Sequence, residues 1–172
     1  MISDARSVLP DLLAHHLLIV FCGMAAGPES ARQGAYYAGP GNRFWGVLHE
    51  LGFTNELLLP CQYRQLIRYG IGLTDVVKIS LGVDADVLVT DDDRMVLSAK
   101  VHAQQPDFLA FNGKRAAEKF LKQRRVEYGL QTIALGATQV FVLPSTSRAA
   151  NGFWSIEPWR DLHSLVKEHR YD

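Results

Sequence analysis

Leu17-Leu18-Ile19-Val20-Phe21-Cys22, halted by Gly23-Met24-Ala25-Ala26-Gly27-Pro28, is the stretch that decides the fold. An apolar run with no polar alternation predicts a strand buried on both faces, as in the centre of a mostly parallel sheet. The glycines and proline that end it predict a tight turn. Working outward, Gly72-Leu73-Thr74-Asp75-Val76-Val77, Asp107-Phe108-Leu109-Ala110-Phe111, Thr132-Ile133-Ala134-Leu135 and Gln139-Val140-Phe141-Val142-Leu143 read as further strands. Between them lie helical patterns. Asn42 is a candidate cap for a helix over about Arg43–Leu51, with Phe44, Val47, Leu48 and Leu51 on its inner face. The acidic residues Asp84, Asp86, Asp91, Asp92 and Asp93 read as a loop before a helix near Arg94–Gln104. A basic helix follows Asn112-Gly113, and Pro158 opens a last helix, Trp159–His169. Strands alternating with helices predict one α/β domain over residues 1–172, a central twisted sheet flanked by helices. Ligands of such sheets bind where strands end and loops begin. Gly23–Gly27, Asp75, Asn112-Gly113 and Pro144–Asn151 all fall at such strand ends.

Bulk properties narrow the class. The 172 residues suit one domain with a substantial core, and 48% hydrophobic with 21% charged content is ordinary for a globular protein. Eighteen basic and eighteen acidic residues cancel, so net charge announces no nucleic-acid partner. The charge is nevertheless segregated. Lys114, Arg115, Lys119, Lys122, Arg124 and Arg125 cluster around one acid, Glu118. Such a patch either steers a polyanion or is a solvated helix face. Cys22 and Cys61 cannot form a disulfide framework, and the histidines lack metal-ligand spacing, so neither metal nor cofactor nor iron–sulfur cluster is expected. The Leu17–Ala26 run is too short to span a bilayer, and Asp11, His15 and His16 argue against a signal peptide. A cytoplasmic, monomeric protein away from the membrane is the expectation.

Five blocks in order give a sharper reading. Val20-Phe21-Cys22-Gly23-Met24-Ala25-Ala26-Gly27 resembles the first catalytic motif of the mismatch-specific uracil/thymine DNA glycosylases, within the uracil-DNA glycosylase superfamily. Tyr36-Tyr37-Ala38-Gly39-Pro40-Gly41-Asn42-Arg43-Phe44-Trp45 is similar to that family's pocket segment, and Tyr69-Gly70-Ile71-Gly72-Leu73-Thr74-Asp75 to its third block. Gln105-Pro106 with Phe111-Asn112-Gly113-Lys114 matches the fourth. Leu143-Pro144-Ser145-Thr146-Ser147-Arg148 resembles the serine-rich second catalytic motif of the thymine-DNA glycosylase branch.

The resemblance implies DNA as partner and hydrolysis of an N-glycosidic bond to a flipped-out uracil or related mismatched base. That reaction leaves an abasic site for base excision repair. Cleavage builds positive charge on the sugar and negative charge on the base, so the site must bind an anionic base and place a water. Base binding is then expected from Gly23, Met24, Ala25, Tyr37, Asp75 and Asn112. The turn supplies backbone N–H donors, and Tyr37 an aromatic platform. DNA contacts are expected from Lys114, Ser145, Thr146, Ser147 and Arg148. The short serine hydroxyls suit phosphates, and Lys114 is either a phosphate contact or a solvated lysine. The intercalating residue falls at Arg148 or, one register on, at Ala149. No lysine stands as a Schiff-base nucleophile in these blocks, so a monofunctional enzyme is expected.

One departure bears on mechanism. The family's first motif reads Gly-Ile-Asn-Pro-Gly, and its asparagine orients the attacking water. Here Ala25 occupies that position, and a methyl group neither donates nor accepts a hydrogen bond. Either another group supplies the function, for which Asp75 is the catalytic candidate, or the chain is a slow or non-catalytic lesion binder. An Asp75 carboxylate could hold the water, or donate to the base if protonated. A third reading is an unrelated α/β enzyme acting on a small nucleotide.

Overall fold

The computed structural model describes residues 7–79 and 87–170. Five strands form one sheet in the order β2-β1-β3-β5-β4. They are β1 (Ile19–Gly23), β2 (Ile71–Asp75), β3 (Phe108–Asn112), β4 (Gly129–Leu135) and β5 (Thr138–Leu143). All pairings are parallel except that of β4 with β5, which is antiparallel at the sheet edge. The protein is thus an α/β domain with a mostly parallel sheet. Every residue of β1, β2 and β3 is buried, which is why β1 and β3 are apolar up to their last position; β2 carries polar Thr74 as well as Asp75 at its end.

Among the described residues five α-helices flank the sheet: α1 (Pro28–Gln33), α2 (Phe44–Glu50), α3 (Asp91–Gln104), α4 (Lys114–Leu121) and α5 (Glu157–His169). Strand alternation sorts the core into two layers. Ile19, Phe21, Leu73, Phe108, Ala110, Phe141 and Leu143 pack with Phe44 and Leu48 of α2 and Trp159 and Leu162 of α5. Val20, Cys22, Leu109, Phe111, Val140 and Val142 pack with Leu97 and Val101 of α3 and Ala117 and Phe120 of α4. The first layer is aromatic: Phe21 stacks on Trp159 and meets Phe44 edge-on, both with centroids 5.4 Å apart.

Several boundaries differ from the sequence reading. Asp91, Asp92 and Asp93 are not loop residues; they form the first turn of α3, where carboxylates favour the positive helix end. Thr90 caps it, its hydroxyl accepting from the Asp93 N–H at 3.2 Å while Asp93 Oδ2 accepts from the Thr90 N–H at 2.8 Å. Asp84 and Asp86 lie outside the described residues. Strand β2 stops at Asp75, although the Val76 and Val77 N–H groups continue to bond Gly23 and Met24 carbonyls at 2.9 and 2.8 Å. Helix α4 ends before Lys122, so Arg124 and Arg125 lie beyond it. Helix α1 and a 3-10 segment, Pro60–Tyr69, were not anticipated. Nor was the cover on the β2 edge: Leu12 exchanges both backbone hydrogen bonds with Leu73, each at 2.9 Å. Among the described residues no helix is long and apolar enough to cross a membrane.

Candidate active site

Register brings the site together before any side chain is considered. Phe21 pairs with Leu73 and with Ala110, and Ala110 with Phe141, so these four share a face. Two residues further along each strand, at the carboxyl ends, stand Gly23, Asp75, Asn112 and Leu143, and they share it too. Gly23 and Asp75 are direct partners.

The missing side chain of Gly23 makes the centre of the site. A Cβ there would lie 2.6 Å from Asp75 Oδ1 and 3.5 Å from the Tyr37 hydroxyl oxygen. Only because position 23 is bare can a carboxylate and a phenol converge over its main chain. Asp75 is buried, at 5% exposure. Tyr37 is half-buried and holds a left-handed backbone, φ 53°, an uncommon conformation for a bulky residue. Its ring leans on Phe44, 4.1 Å between centroids, and Phe44 and Trp45 are core residues.

Behind Asp75 lies a group of charges, Lys78 buried and Asp11 and Lys100 partly so, that the sequence reading missed. Lys78, 6% exposed, stands 3.7 Å from Asp75 Oδ2 and 3.0 Å from Asp11 Oδ1, and donates to the Tyr36 hydroxyl at 2.8 Å. Lys100 of α3 pairs with Asp11 Oδ2 at 2.7 Å, and the Thr74 hydroxyl donates to Asp11 Oδ1 at 2.8 Å. Burial would raise the Asp11 carboxyl, but Lys78 and Lys100 outweigh it and hold the group below the usual aspartate value. Burial, reinforced by the Asp75 carboxylate, pushes both the Cys22 thiol and the Tyr36 phenol up.

The remaining residues sort by what they touch. Asn112 is buried and braces a loop: its Nδ2 donates to Thr146 Oγ1 at 2.8 Å, and its Oδ1 accepts from the Thr146 N–H at 3.0 Å. Thr146, 1% exposed, is therefore an internal brace in this conformation, where a DNA-contacting residue was expected. Met24 likewise sends its side chain into the second core layer, so only its main chain faces the turn. Ala25 is half-buried and packs against that same layer. Ser145 Oγ accepts from the Ser147 N–H at 3.2 Å, and Ser147 Oγ from the Ala149 N–H at 3.3 Å, shaping the turn into a 3-10 segment, Arg148–Phe153. Arg148 and Ala149 are exposed, and the Arg148 stem lies over Gly41, where a Cβ would meet its Cδ at 3.1 Å. That contact joins the Ser145–Arg148 loop to the Tyr37 segment, as does the Arg43 N–H bond to the Thr146 carbonyl at 2.9 Å. Lys114 opens α4 beside Asn112; its ammonium sits 3.6 Å from Glu127 and 4.4 Å from the Tyr128 ring centroid. Among the described residues no group of three or more His, Cys, Asp or Glu is placed to hold a metal ion.

A model of the uracil DNA glycosylase superfamily matches residues 10–163. The solution NMR structure of a candidate uracil DNA glycosylase from Methanosarcina acetivorans is similar, with a TM-score of 0.64 and 22% sequence identity over 93% of this chain and 95% of that one. At that identity the likeness speaks for the fold alone. The family match runs from Pro10, on the segment covering β2, to His163 in α5, and so takes in the whole sheet and every residue around Gly23; this chain belongs to the uracil DNA glycosylase superfamily.

Proposed function

We propose that this protein is a monofunctional DNA glycosylase of the mismatch-specific uracil/thymine branch, which draws uracil or a related deaminated base out of DNA and hydrolyses its N-glycosidic bond. The observation that carries this reading is the convergence of the Asp75 carboxylate and the Tyr37 hydroxyl over Gly23 at the carboxyl ends of the strands. Tyr37 offers the flipped base an aromatic surface, and the 23–27 turn offers backbone N–H groups to its carbonyls. Asp75 takes over the task of the asparagine replaced by Ala25. It accepts a hydrogen bond from a water, which adds to the sugar C1′ as the C1′–N bond breaks. The bonding pair leaves on the base nitrogen, and the water proton passes through Asp75 to the departing base or solvent.

The test is a panel of duplexes carrying uracil, thymine opposite guanine, hypoxanthine or an alkylated base, assayed for alkali-labile abasic sites. Excision of uracil by the parent, slowed at least about a hundredfold by Asp75→Ala, is the expected result. Tight lesion binding without abasic sites would make the chain a lesion-recognition protein, the reading that the loss of asparagine at position 25 favours. Failure to bind duplex DNA at low salt would overturn both, since phosphate contacts dominate such affinity.

A further inference from the structure

The two oxygens of Asp75 face different partners. Oδ1 lies over Gly23, where the proposed base site is; Oδ2 lies 3.7 Å from the ammonium of Lys78. Lys78 is almost completely buried, and a buried ammonium is retained only when its hydrogen bonds and its charge are both met. Two fixed groups hold it. Asp11 is locked by Lys100 and Thr74, and the Tyr36 hydroxyl, which donates to the Pro10 carbonyl at 3.1 Å, accepts from Lys78. The Lys78 carbonyl also accepts from the Val8 N–H at 2.8 Å. An ammonium anchored in this way has one charge-bearing face left for Asp75.

We propose that Lys78 is a positioning residue for Asp75: it holds the carboxylate ionised through Oδ2 and thereby presents Oδ1 to the water in the base site. This rests on the reading of Asp75 given under the proposed function and decides between its two chemical forms, making it a water-holding anion and not a proton donor. The charged and titratable groups around Asp75 come from every element packed there. They are Asp11 on the segment covering β2, Lys100 on α3, Cys22 on β1, and Tyr36 and Tyr37 before α2. Asp92 and Asp93 of α3 border the same cavity as Asp75, Lys78 and Lys100. Asp11 is held low and Tyr36 and Cys22 are held high, so none of these three titrates near neutrality.

Two readouts test the assignment on the full chain. The first is the carboxyl carbon resonance of Asp75, assigned by its loss in Asp75→Asn and followed from acid to neutral pH. Lys78→Met is expected to raise its midpoint by about one pH unit or more, a tenfold change in proton affinity, whereas Lys78→Arg keeps it within a few tenths. The second is single-turnover excision of uracil against pH. The acid limb should move up with the carbon midpoint in Lys78→Met, so that the rate falls about tenfold on the limb and recovers at high pH. A folded Lys78→Met protein with the parent midpoint overturns the proposal, as does a rate loss equal at every pH, which would mark a merely structural lysine. If Lys78→Met does not fold, Lys78→Gln, which keeps a hydrogen-bond donor for the Asp11 carboxylate and the Tyr36 hydroxyl but carries no charge, takes the same measurements with the same expected shift. Asp75→Ala excising uracil at the parent rate would instead bring down the reading of Asp75 itself, whatever the midpoint in Lys78→Met.

Discussion

At the scale of single residues, Gly23 is the tightest constraint in the site. A methyl group at position 23 must displace the Asp75 carboxylate from 2.6 Å to ordinary contact, while the extended backbone itself tolerates alanine. Gly23→Ala should therefore fold with parent circular dichroism yet lose roughly a hundredfold in excision rate, the scale expected when a reacting group is misplaced by about 1 Å. A parent rate would mean that the carboxylate can move without chemical consequence. Tyr37 and Phe44 touch each other but should respond in opposite ways. Tyr37→Ala removes a half-exposed platform and should slow excision by about ten- to a hundredfold, the worth of one stacked base at roughly 1–3 kcal/mol. Phe44→Ala empties a fully buried position among Phe21, Trp45 and Trp159 and should cost about 3–5 kcal/mol of stability in denaturant unfolding. If Tyr37→Ala instead destabilises the fold as Phe44→Ala does, Tyr37 belongs to the core and not to the site.

At the scale of elements, the β3 terminus and the Pro144–Ser147 loop are held by one amide. Asn112→Leu would orphan the Thr146 N–H and hydroxyl in the interior, costing about 1–3 kcal/mol in thermal or chemical unfolding. It should also loosen Ser145, Ser147 and Arg148, so that affinity for duplex DNA falls with stability; an undisturbed affinity would separate that loop from DNA binding. The contrast between Asn112 and β3 itself shows what a sequence can disclose. Strands β1, β3 and β5 and the last helix follow from contiguous or periodic apolar residues, because burial on both faces leaves that mark locally. The convergence of Gly23, Tyr37 and Asp75 follows from strand-end logic with the motif order. The pairing of Leu12 with Leu73 leaves no such mark, since two backbone hydrogen bonds specify no side chain. Asp11, Tyr36, Lys78 and Lys100 are likewise invisible as a group: each is an ordinary polar residue in its own segment, and only the fold sets them side by side. Thr146 and Asn112 sat in blocks whose resemblance suggested ligand contacts; that they also bond each other is something only the fold shows.

At the scale of the whole molecule, helix direction redistributes the charge that the sequence concentrates between Lys114 and Arg125. The carboxyl ends of β1, β2 and β3 define the pole where Gly23, Asp75 and Asn112 meet, and α4 begins there, immediately after Asn112, and runs back toward the other end. Lys114 is thus at the site pole, while Lys122, Arg124 and Arg125 lie past the far end of the helix. Lys122 is also met by Asp91 at 2.7 Å. A duplex whose flipped base enters over Gly23 should accordingly feel Lys114 and Arg148 but not the distal cations. The Lys114–Glu127 pair does not forbid this, since Glu127 is fully accessible and an exposed pair is worth at most about 1 kcal/mol. Each phosphate contact removed should lower the slope of log affinity against log salt by about 0.9. Lys114→Ala is therefore expected to flatten the slope by about one, and Arg124→Ala with Arg125→Ala to leave it unchanged. Arg148→Ala separates two roles at the same pole. A residue filling the gap left by the flipped base matters only in duplex DNA, so excision should fall on the duplex and persist on single strands, with the salt slope intact. Equal losses on both substrates with a flatter slope would make Arg148 a phosphate contact and leave Ala149 at the wedge position. A slope that responds to Arg124 and Arg125 more than to Lys114 would place the duplex along the flank of α4, and the pole at Gly23 would then not be where DNA enters.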